Sequence, residues 1–257
     1  MTRIIAPPFM ESGFYSTGIS DADALSLLIR TVFERGALFS GHALVWRQDD
    51  ARISPFESPK SLDFEEVACD QPTLMKMLNE GNTRVLQVDV QNATGLVRAR
   101  NEIITYSRIP PEVMGTDSHP VAIWTEGGAF DPYLSKGAMK KVGDRAYRVF
   151  RELVPLLSPA YASITIEWGL ECPAELRQGH GSQAFQDFYA SKDVLGHQVM
   201  AKLELLFKHG YIEKLHHGKY FSSWEFFNPE GVSIHESARG DASAKAGRII
   251  GSSILVQ

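Results

Sequence analysis

Apolar residues recur at helical spacing in several stretches of the chain. Leu25, Leu28, Ile29, Val32 and Phe33 form one stripe. Ser20 or Asp21 stands where a side-chain oxygen can cap the first backbone N–H groups, and Gly36 ends the run. LMKMLNEG, Leu74 to Gly81, predicts a shorter helix closed by its glycine. From about Asp144, Ala146, Val149, Phe150, Leu153 and Leu157 share a face. Pro155 weakens the last turn of that helix, because proline removes a donor and crowds the preceding turn. Two more helices are predicted, from about Ser182 to Ser191 and from Val194 to His209. The second carries Val199, Leu203, Leu206 and Phe207 on its apolar face and Gly210 as its cap.

Other stretches read as strands. GHALVW, ending at Trp46, is short and apolar. TRVLQVDV alternates, with Val85, Gln87 and Asp89 on one side and Leu86, Val88 and Val90 on the other. Asn92 to Gly95 turns it into NEIITYSRI, and PVAIWTE and ASITIEW, the latter ending at Trp168, follow later. The polar segment Arg47 to Pro72 and the glycine-containing stretch Gly127 to Gly143 read as loops. YIEKLHHGKYFSSWEFFNPEG, Tyr211 to Gly231, reads as a hairpin: strand, HHGK turn, aromatic strand, NPEG stop. Its alternation sends Tyr220, Ser222, Trp224 and Phe226 one way and Phe221, Ser223, Glu225 and Phe227 the other.

Strung together, these elements predict an α+β fold with mixed or antiparallel sheets and packed helices. The order helix, strand ending in Trp, long segment, helix, Gly, strand, turn, strand occurs twice. This string admits an internal pseudo-repeat of two α/β halves packed as one unit, although any α+β chain gives similar strings. Buried strands do not alternate regularly with helices, which disfavours a Rossmann-type sheet. The break PPEVMGTDSHP divides the chain into residues 1–110 and 111–231, either as halves or as parts of one compact domain. Residues 232–257 form a tail: ESARGDASAKAG reads as flexible, and RIIGSSILVQ as an apolar end able to add a strand to a sheet.

Composition narrows the partners. A net charge of −5 and a pI of 5.9 disfavour nucleic acid, which needs a basic footprint. Arg98, Arg100 and Arg108 interleave with Glu102 and read as a solvated strand face. Two distant cysteines, Cys69 and Cys172, form neither a disulfide framework nor a zinc pattern. The N-terminus lacks the apolar run of a signal peptide, and nothing approaches the roughly 20 apolar residues of a membrane span. The expectation is a cytoplasmic protein with no membrane partner.

Candidate chemistry is thin. No phosphate-binding loop and no GxSxG elbow occurs, and TEGGAF, Thr125 to Phe130, reads as a turn. Cys172 could act as a nucleophile only with a histidine base such as His180, His216 or His217; a buried small apolar residue is the plainer reading. His216 and His217 are adjacent, so on a strand they diverge and cannot share a metal. Asp117 to His119 carries no metal spacing either, and no metal or cofactor is expected. Glu167 with Glu171, and Glu126 with Asp131, are the candidate acid pairs. The aromatic hairpin is the most distinctive surface candidate: Tyr220, Trp224 and Phe226 would bind a partner if exposed and pack the core if covered. The ranking therefore favours a non-catalytic protein-binding module, of the type in which bacterial immunity and antitoxin-like proteins bind another protein and block it. Behind it stand a hydrolase-type enzyme with a Cys/His or acidic site, and a homo-oligomer or larger assembly joined through the C-terminal tail.

Overall fold

Residues Phe9–Tyr15, FMESGFY, alternate in a way that a buried glutamate hides. Met10 and Phe14 join the hydrophobic core on one side; Glu11 and Tyr15 are buried on the other. This strand, β1, lies near the middle of the fold. The computed structural model describes residues 9–47, 65–79, 83–94, 100–105, 118–126, 135–178 and 182–254. After β1 come α1 (Asp21–Glu34), β2 (Leu38–Arg47), β3 (Glu65–Ala68), α2 (Gln71–Asn79), β4 (Thr83–Gln91), β5 (Arg100–Thr105) and β6 (Val121–Glu126). They are followed by α3 (Lys136–Leu157), β7 (Tyr161–Ile166), α4 (Pro173–Gln178), β8 (Asp187–Ser191), α5 (Lys192–Leu206), β9 (Tyr211–Leu215) and β10 (Gly218–Ser222). A 3-10 turn (Glu225–Phe227) and α6 (Glu236–Ser253) complete the described chain.

The ten described strands form one antiparallel sheet in the order β3-β2-β4-β5-β6-β1-β7-β8-β10-β9. With its packed helices this is an α+β fold. The sheet runs through the expected boundary between halves, because β5 pairs in register with β6. Residues 106–117 of that boundary lie outside the described residues. The two similar strings of elements follow different strand orders. In the first, β2 neighbours β4; in the second, β7 neighbours β8, and the β9–β10 hairpin is attached by its second strand.

Two apolar clusters occupy opposite faces of the sheet. On one face, Leu25, Leu28 and Ile29 of α1 and Phe150, Leu153 and Val154 of α3 cover Phe14, Val88, Ile123 and Tyr220. On the other, Leu203 of α5 with Phe207, and Ala246 and Ile250 of α6, cover Tyr161, Phe188 and Phe221. Consecutive residues such as Tyr220 and Phe221 part to opposite clusters, as strand geometry requires. The C-terminal end of the sheet is thus sandwiched between helices.

Local signals account for the helix starts. Ser20, Ser135 and Ser191 each cap a helix, accepting from the N–H of Asp23, Ala138 and Val194. Pro155 is held inside the last turn of α3, and Ser158 closes that helix in a left-handed conformation. Gly143 permits the closest helix contact: a Cβ there would lie 1.8 Å from the Phe226 carbonyl oxygen.

Besides β1 and α4, which no expectation placed, the structure departs from the sequence expectations at five places. Helix α3 begins at Lys136, inside the stretch read as a loop. Asp187–Ser191 is a strand, not a helix. Its residues are buried on both faces, so the helical spacing of Ala184, Phe185, Phe188 and Tyr189 reflects two-sided burial. Glu65–Ala68 is a strand inside the polar segment. The aromatic strand ends at Ser222, and the chain tightens into the 3-10 turn before NPEG. The tail read as flexible is the 18-residue helix α6, whose Ala242, Ser243, Ala246 and Gly247 are buried. Small residues let that helix approach closely: a Cβ on Gly251 would lie 2.5 Å from Leu176 Cβ.

Candidate functional site

The hairpin of β9 and β10 turns on two residues, His216 and His217, between the paired Leu215 and Gly218. His216 takes φ 47°, so the turn itself sets where the histidine rings go. The two rings stand edge to face, 4.1 Å apart between centroids. They line a cleft of about 630 Å³ between α5 and the hairpin, together with His197. Its polar side chains are partly paired: Lys219 with Glu204 at 2.8 Å, and His217 Nδ1 against the Asp193 carboxylate at 3.3 Å. Among the described residues, no group of three or more His, Cys, Asp or Glu is placed to hold a metal ion.

Cys172 is far less available than its position after a strand suggested. It is buried before α4, and burial pushes its thiol up to about 11, against the backbone N–H groups of Glu175 and Ala174, which favour the thiolate. No histidine is among the groups that set its acidity. His180 and Asp131 lie outside the described residues, as do Arg98, Arg108 and Asp117. Glu126 and Glu167 are not buried, and Glu167 adopts φ 61°. Glu171 is raised by burial and accepts a hydrogen bond from the Ser182 hydroxyl.

The aromatic trio is not a continuous exposed row. Tyr220 is fully buried between sheet and α3, its hydroxyl donating 2.8 Å to the Phe227 carbonyl. Phe226 is buried beneath α3. Both belong to the core, because the strand is covered on both faces and then curls into the 3-10 turn. Trp224 is half-buried, edge-on to Phe226 and Phe227, with the Arg239 guanidinium 5.1 Å from its ring centroid.

Glu102, read as part of a solvated strand face, is buried within β5, and two further buried acids escaped the sequence reading. Glu11 accepts from the Trp124 indole N–H at 2.7 Å and the Leu170 backbone N–H at 3.1 Å. Burial overrides those bonds and raises its carboxyl to about 8. Directly paired positions put Asp89, Glu102, Trp124, Glu11 and Thr165 in one row on one face of the sheet. Asp187 is also raised by burial to about 8, despite accepting from the Ser222 hydroxyl. Ser222 in turn accepts from Asn228 Nδ2, which also donates to the Trp224 and Val232 carbonyls. The visible sequence signal for Glu11 was the period-two pattern around it.

The surface feature with the clearest capacity to bind is a groove of about 430 Å³ between α5 and α6. Leu205, Leu206 and Ile249 line it, with Lys202, Lys245 and Arg248. Leu205 is 70% exposed. No helix among the described residues is long and apolar enough to cross a membrane.

No family model matches the chain, and no curated protein matches it. Among solved structures, a Pseudomonas aeruginosa T6SS protein aligns over 95% of this chain and 73% of its own, at 10% identity and a TM-score of 0.42. Nothing about this chain's role follows from a likeness of that size.

Proposed function

We propose that the chain is a non-catalytic protein-binding module that occupies another protein and blocks it, in the manner of bacterial immunity and antitoxin-like proteins. The observation that carries the reading is the α5–α6 groove, a shallow, open apolar surface where Leu205 is 70% exposed. Exposed apolar surface rimmed by polar side chains is where a partner gains from excluding water. Burying one such leucine contributes about 1.5–3 kcal/mol toward an interface. Catalysis through Cys172 has little support, since a thiol held near 11 carries almost no thiolate at neutral pH. The reading goes with a cytoplasmic setting, where the free thiols of Cys69 and Cys172 stay reduced. An assembly through the C-terminal tail takes a different form here: α6 is packed into the body, and its outer side supplies half of the groove.

The test is paired affinity capture from the native host. Wild-type chain and Leu205→Asp, matched by circular dichroism, are immobilised at equal density. A partner retained by the wild type near one-to-one stoichiometry and lost from the variant is expected. Identical capture profiles from the two proteins would end the proposal.

A further inference from the structure

We infer that the α5–α6 groove receives an acidic segment of a protein partner that presents a large apolar side chain. This inference rests on reading the chain as a protein-binding module, and adds the chemistry of what is bound.

The two helices contribute matching stripes. Lys202, Leu205 and Leu206 stand at i, i+3 and i+4 on α5, and Lys245, Arg248 and Ile249 keep the same spacing on α6. Each helix therefore lends apolar surface and positive charge to the same groove. The volume, about 430 Å³, is enough for one large apolar side chain and part of the backbone that carries it.

Charge decides which segment fits. No carboxylate lines the groove. Lys202, Lys245 and Arg248 make no ion pair or hydrogen bond among the described residues. Elsewhere pairing is common: Arg151 with Glu213 at 2.8 Å, Lys136 with Glu225 at 2.8 Å, and Lys219 with Glu204 at 2.8 Å. A chain of net charge −5 thus has, among the described residues, three unpaired cations around the most exposed leucine. A neutral or basic segment would cover these charges without compensating them. Carboxylates flanking an apolar anchor would pair with them at the rim and speed the encounter.

The experiment pans a phage-displayed library of random peptides on the immobilised full chain, with counter-selection on Leu205→Asp. Enriched sequences are expected to be acidic around a leucine, isoleucine, phenylalanine or tryptophan. Synthetic copies should bind the Lys245→Glu/Arg248→Glu protein about tenfold or more weakly. They should also weaken as salt rises from about 0.1 to about 1 M, where the screening length falls from about 10 to about 3 Å. Circular dichroism and thermal melts establish that the variants fold, with Leu205→Ala as a milder alternative. Neutral or basic consensus sequences that still need Leu205 would overturn the acidic partner while leaving the protein-binding reading intact. Absence of any Leu205-dependent enrichment would overturn the reading itself. Sedimentation of the wild type, but not Leu205→Asp, with 7:3 phosphatidylcholine:phosphatidylserine vesicles would assign the groove to membranes and defeat the inference. So would a concentration-dependent dimer that Leu205→Asp abolishes.

Discussion

Replacing Glu11 with glutamine should reverse the order of stability of the two proteins as pH rises. In the fold the Glu11 carboxyl ionises near 8, because burial outweighs the hydrogen bonds from Trp124 and Leu170; its ordinary value is 4.5. A carboxyl raised in the fold holds its proton there more tightly than in the unfolded chain. Its contribution is complete below the ordinary value and is lost as pH climbs to about 8. The gap corresponds to about 5 kcal/mol in full, and to about 4 kcal/mol between pH 5 and pH 9. Glutamine cannot ionise, but its single carbonyl oxygen satisfies only one of the two donors. The other N–H then faces an amide NH₂, at a cost of about 1–3 kcal/mol. Wild type should therefore be the more stable at pH 5, and Glu11→Gln at pH 9, with the curves crossing at roughly pH 6. Urea unfolding at pH 5, 7 and 9, followed by tryptophan fluorescence, measures this directly. The wild-type midpoint should fall by roughly 1 M more than that of the variant over this range. Asp187 is present in both proteins and cancels from the comparison. Parallel pH profiles for the two would refute the assignment of a proton to Glu11.

Gly143→Ala should destabilise by about 3 kcal/mol in chemical denaturation, since the added methyl would meet the Phe226 carbonyl at 1.8 Å. Asn228→Ala should lose about 2–4 kcal/mol, because its side chain bonds Ser222, Trp224 and Val232 in a buried network. Trp224→Ala should cost about 2 kcal/mol by the same measurement, from lost packing on Phe226 and Phe227 and loss of the Arg239 contact. In the native protein at pH 7, the buried Cys172 should react with a thiol reagent far more slowly than half-buried Cys69; unfolding in urea should equalise the two.

The helix most legible in the sequence was the one with a wet face. The stripe of α1 and its Ser20 cap follow from a single core-facing side, and each is visible in the order of residues. Two-sided burial removes that contrast. β8 is buried throughout, so DFYAS shows no alternation and its flanking apolar residues imitate a helix. β1 hides in the opposite way, through an acid placed where an apolar residue would be expected. α6 exposes a deeper ambiguity, since Ala, Gly and Ser are the residues of flexible linkers and equally those that let helices pack closely. Composition cannot separate these uses; the presence of Leu176 and Phe185 opposite the small residues does.

The candidate site was hidden for a related reason. A docking surface on an aromatic strand is suggested by residue type, but a sheet covered on both faces turns Tyr220 and Phe226 into core. The exposed apolar surface appears instead where α5 and α6 pack on that core and leave a trough between their outer edges. Leu205 and Ile249 meet there because α5 and α6 cover the same end of the sheet. Neither helix shows an unusual apolar face in sequence, and nothing in the order of residues singles out the cations beside those positions. The packing of the two helices is what gathers Lys202, Lys245 and Arg248 around one groove and leaves them unpaired among the described residues. The specificity of the surface therefore arises from tertiary structure: the same sheet that buries the aromatic hairpin as core brings the helices of the groove together.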